Sequence, residues 1–63
     1  MLPHQERVVS EKKDLDYKID RLKTFLGSDL VTKVNSLEVS RMTRQLAIMK
    51  DYSAVLTERI ASF

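Results

Sequence analysis

The sequence predicts an all-α protein: a two-helix antiparallel hairpin with a short connecting turn, assembling into a compact homo-oligomer. Three observations predict it. The 63 residues include one Gly and one Pro, so chain-breaking signals are nearly absent. Two long stretches carry apolar residues at helical spacing. A chain this short, with no Cys, buries little surface alone and is marginal without a metal, disulfides or partners.

The first element is a helix over about residues 3–26. Pro3 suits the first turn, where its missing N–H is not needed, and Gly27 suits the position just past the end, where a left-handed residue often stands. At 100° per residue, Val8, Leu15, Ile19, Leu22 and Leu26 fall within a narrow arc with Phe25 to one side, whereas Lys13, Asp16, Tyr17 and Asp20 fall elsewhere. The rhythm is close to a heptad, which fits packing at a shallow angle. The second element is a connector over residues 27–35, in which Ser28 and Asp29 can cap a single turn within DLVTKV. The third is a helix over about residues 36–61, opened by Asn35 with Glu38 three residues on, a spacing that resembles a capping box. Each arm should be about 35–40 Å long at 1.5 Å per residue.

The second helix carries two seams. Met42, Leu46, Met49, Leu56, Ile60 and Phe63 form one; Leu37, Ile48 and Val55 form another nearly a right angle away, with Gln45, Tyr52 and Arg59 between. That arc is too wide for one partner helix. The first helix can cover one seam, and a second protomer is expected over the other, because contiguous exposed apolar surface marks interaction sites.

Composition narrows the function. With 11 basic and 9 acidic residues the net charge is +2, short of the excess that a general nucleic-acid coat wants; no nucleic-acid polymer is expected as partner. One His and no Cys argue against a zinc site, which takes three or four N or S ligands. No apolar run reaches the roughly 20 residues of a membrane span, and the start of the chain has no hydrophobic signal region, so a cytoplasmic location off the membrane is expected. There is no Ser/His/Asp or Cys/His set, no Gly-rich phosphate loop and no HExxH. The expectation is a protein that is not an enzyme and takes no cofactor or metal.

The candidate binding residues border the stripe of the first helix. His4 and Glu11 lie on its edge, with Arg7 and Lys18 just outside on the same side, at i, i+3, i+7 and i+14 spacing. Two readings stand. Lys and Arg beside an apolar stripe commonly lay their stems on the core edge and keep their heads wet, and Glu11 can pair with Arg7 at i, i+4. If that flank instead meets its symmetry mate, cations from two protomers converge on a basic, apolar-walled cleft suited to a two-fold symmetric dianion, with phosphates held by charge-assisted donors and bases stacked on planar groups. Arg59 sits within the apolar arc of the second helix. It needs a partner there, either an acid such as Glu38 across a subunit interface or a bound anion.

The segments PHQERVVSEKKDLDYKIDRLKTFLG and SRMTRQLAIMKDYSAVLTERIASF together resemble a family of short phage and prophage proteins, the anti-CBASS cyclic-nucleotide sponges, also met as a family related to a small crAss-like phage protein. The resemblance covers both arms. It implies compact helical hexamers that bind cyclic dinucleotides, and in several members cyclic trinucleotides, without cleaving them, in the cytoplasm of the infected host. It implies a dinucleotide pocket between first helices of two protomers, with an aromatic near the helix start and a lysine further along. Those positions are His4 and Lys18 here, and Arg7 belongs to the same motif. It further implies that Arg59 serves a trinucleotide pocket. Many relatives carry Tyr where this chain has His4, and imidazole stacks over less area. The alternative function is a structural or protein-binding oligomerisation module with no small-molecule ligand.

Overall fold

The computed structural model describes residues 1–63. Two α-helices, α1 (Pro3–Leu26) and α2 (Ser36–Ala61), are joined through a 3-10 turn at Asp29–Lys33 and pack antiparallel, with no strands. The molecule is a rod of 45 × 14 × 13 Å.

Each helix end is explained by local chemistry. Pro3 opens α1, and the Gln5 side-chain oxygen accepts from the Leu2 amide at 3.0 Å, satisfying a donor that the helix leaves free. Asn35 caps α2, its Oδ1 accepting from the Leu37 amide at 2.8 Å. The reciprocal half of the expected capping box is absent: Glu38 accepts instead from Arg41 at 2.9 Å, because that i+3 cation lies within its reach. The end of α1 also departs from expectation. Gly27 adopts φ −90° and ψ 0°, not the left-handed conformation that glycine usually supplies there. The orphan carbonyls are satisfied without it. The Gly27 amide donates to the Lys23 carbonyl at 3.1 Å, and Ser28 donates to the Phe25 carbonyl through its amide and, at 2.7 Å, its Oγ. Ser28 therefore closes α1 with its hydroxyl instead of capping the turn that follows.

The core is small. Val8, Leu15 and Leu56 are buried, Leu56 completely, and Ile19, Met49 and Ile60 pack against them. α1 thus covers the seam containing Met49, Leu56 and Ile60. The other seam stays open, with Leu37 67%, Ile48 61% and Val55 50% exposed. The chain exposes 4993 Å² in all, whereas a compact 7.3 kDa monomer exposes about 4,200 Å². No helix is long and apolar enough to cross a membrane.

Candidate functional site

The two flanks of the hairpin seam carry different chemistry. On one flank, Asp16 accepts hydrogen bonds from Lys12 Nζ at 2.6 Å and from Ser53 Oγ at 2.5 Å. The second of these joins α1 to α2. Lys12 and Ser53 together hold the Asp16 carboxyl below its ordinary value of 3.8, against a smaller opposing effect of desolvation. Sequence reasoning placed Asp16 off the stripe and gave it no partner.

On the opposite flank lies an open groove of about 480 Å³. Arg7 and Lys18 line it from α1, three turns apart, with Ser10, Glu11 and Asp14 between them and the buried Leu15 at its base. Tyr52, 43% exposed, lines it from α2. Arg7 and Lys18 make no ion pair or side-chain hydrogen bond within the chain; the intrachain ion pairs are Lys12–Asp16 and Glu38–Arg41. The expected Arg7–Glu11 pair does not form. Lys18 also borders a second depression of about 350 Å³ toward the turn, shared with Arg21 and Phe25.

The structure thus brings two of the four candidate residues together. His4 is exposed in the first turn of α1 and lies outside the groove. Arg59 is exposed on α2, seven residues and two turns beyond Tyr52 on the same side of the helix. Its expected burial in the apolar arc is not seen, because Arg59 lies between the two seams and α1 covers only the seam of Met49, Leu56 and Ile60. Its expected acid, Glu38, is taken by Arg41. Sequence reasoning missed Tyr52 as a groove residue; the signal was its position between the two seams of α2. The other tyrosine, Tyr17, lies away from the groove and carries the Arg21 guanidinium over its ring at 5.7 Å. No cluster of three or more carboxylate or imidazole side chains could hold a metal ion.

The groove is formally balanced, with two cations and two carboxylates. It can offer charge-assisted donors at its ends, acceptors between them and an aromatic face at its side. A bare anion gains little from a balanced site; a ligand with separated anionic groups and N–H donors gains from both.

Comparison with known proteins relates the sequence to a phage protein and to one family. The chain is 38% identical, over all of its 63 residues and 98% of the relative, to an uncharacterised 7.5 kDa protein from the denB–rIIB intergenic region of enterobacteria phage T4. No solved structure matches the chain significantly. The family model named Sequestin, a name that denotes sequestration, matches residues 2–62, and the chain belongs to the Sequestin family.

Proposed function

We propose that the protein sequesters cyclic oligonucleotide second messengers without cleaving them and so blocks CBASS-type antiphage signalling in the cytoplasm of an infected host. The observation that carries this reading is the groove in which Arg7 and Lys18 stand unpaired beside an aromatic ring. A cyclic dinucleotide brings what that groove lacks: phosphates for the two cations, base N–H donors for Glu11 and Asp14, and a planar face. Membership of a family named for sequestration supports a binding role over catalysis.

The functional unit in this reading is a homo-oligomer, a hexamer by the resemblance. The support is the open seam of Leu37, Ile48 and Val55 together with the three-residue core, which leaves a lone hairpin marginal. Joining two α1 flanks would bring His4 of one chain toward the cations of another, and Arg59 would serve a second pocket for cyclic trinucleotides.

Calorimetry with a panel of cyclic di- and trinucleotides, with inorganic pyrophosphate as control, tests the proposal. Cyclic dinucleotides should bind, be recovered intact after heat release, and bind about 1.5–3 kcal/mol more weakly to Lys18→Ala, the scale of a charged hydrogen bond. A well-folded oligomer that binds none of the panel rejects it. The open seam also favours a second reading, a purely structural oligomerisation module. In that case Lys18→Ala and Arg59→Ala leave every property except stability unchanged.

A further inference from the structure

We propose that Tyr52 is a ligand-contact residue of the groove, giving its ring face to a nucleobase whose phosphates are held by Arg7 and Lys18, and that the Asp16–Ser53 hydrogen bond is the contact that positions it. The inference rests on the reading of the groove as a cyclic-nucleotide site and adds a residue from the second helix to it.

Tyr52 is the one side chain that α2 contributes to the groove. It is neither buried nor fully exposed, so part of its ring packs and part remains open. Its neighbours along the helix face, Ile48 and Val55, are exposed and apolar, so the ring continues an open apolar surface onto which a planar base can be laid. The ring also has an anchor. Residues 52 and 53 point about 100° apart on a helix. Ser53 is tied across the seam to Asp16 at 2.5 Å, and Asp16 is tied to Lys12 at 2.6 Å. Fixing Ser53 on one flank fixes the rotation of α2 and so directs Tyr52 to the other. Tyr17 offers no comparable platform, since the Arg21 guanidinium lies over its ring and it lies outside the groove.

The chain has two Tyr and no Trp, which makes a direct test possible. In Tyr17→Phe, Tyr52 is the sole tyrosine emitter, and the groove is untouched. Cyclic di-GMP, cyclic di-AMP and cyclic GMP–AMP are titrated into this variant by fluorescence and by calorimetry. Quenching of Tyr52 emission along the same isotherm as the heat is expected. Tyr52→Leu should weaken binding by roughly fivefold to a hundredfold, the range for loss of one stacked base. Ser53→Ala should weaken it by less, and Ser53→Thr, which keeps the hydroxyl, should restore it. Calorimetric saturation with unchanged Tyr52 emission overturns the inference while leaving the proposed function standing. So does a loss of binding in Arg21→Ala with wild-type affinity in Tyr52→Leu, which would put the ligand on the turn side of Lys18. Absence of binding to every probe defeats the proposed function, and this inference with it.

Discussion

The flank carrying Lys12, Asp16 and Ser53 and the flank carrying Arg7, Glu11, Asp14 and Lys18 border the same apolar seam, yet they treat charge in opposite ways. On the first, carboxylate, ammonium and hydroxyl satisfy one another across 2.5–2.6 Å. On the second, two cations and two acids line a groove and no ion pair forms. The composition of the two flanks is similar; the difference lies in what α2 presents. Ser53 offers a short hydroxyl that reaches α1. Tyr52, one residue earlier, offers a bulky ring beside which the groove stays open. One flank ties the two helices together, and the other leaves its charged groups without an intrachain ion pair.

The strongest way to break the comparison is to remove the seam that both flanks share. Leu56 is completely buried against Val8 and Leu15, so Leu56→Ala should cost about 2–5 kcal/mol and abolish the cooperative thermal transition seen by circular dichroism. Next come the two lysines, which should separate the flanks. Lys18→Ala should lose ligand affinity roughly 10- to 150-fold, the equivalent of the charged hydrogen bond above, with an unchanged melting temperature. Lys12→Ala should lower the melting temperature modestly and leave affinity near wild type, because its bond to Asp16 is partly exposed and screened. The pH dependence sharpens the same contrast. Asp16 is held below its ordinary value of 3.8 in the folded chain, so its contribution is fully present above that value and is lost as the pH falls through the lower, folded value. Acid titration of wild type against Asp16→Asn should therefore diverge above pH 4 and converge at the acid end. The smallest effect falls outside both flanks. Gly27 has φ −90°, and an added Cβ would meet the Lys23 and Thr24 carbonyls at 3.5 and 3.8 Å, ordinary contact. Gly27→Ala should raise stability by about 0.4–1 kcal/mol, through a less free unfolded chain, measured by denaturant midpoint.

The all-α fold was legible because its signals are local. Pro3 and Asn35 mark helix starts within a residue of their own position, and the period of Val8, Leu15 and Ile19 is read along one chain segment. The two seams of α2 were legible for the same reason, as was the prediction that α1 covers just one. Arg7 and Lys18 share a groove because spacing along a single helix decides which face they occupy. What the sequence hid depends on the register between helices. Nothing near Asp16 announces Ser53, some thirty-seven residues on, and nothing near Tyr52 says that Arg7 and Lys18 border it. Competition among partners was also hidden: Glu38 could be matched with Arg59 or with the Asn35 amide, and the structure gives it to Arg41, three residues away. His4 and Arg59 are exposed on the hairpin, and neither takes part in an intrachain ion pair.

The location of the buried cluster bears on how the chain folds. Leu56 meets Val8 and Leu15, roughly forty to fifty residues away along the chain. Neither helix holds a buried cluster of its own, so the chain entropy of closing that long loop is spent before any apolar contact offsets it. Partial folding therefore gains little, and the two helices are expected to gain their stability together, in one step.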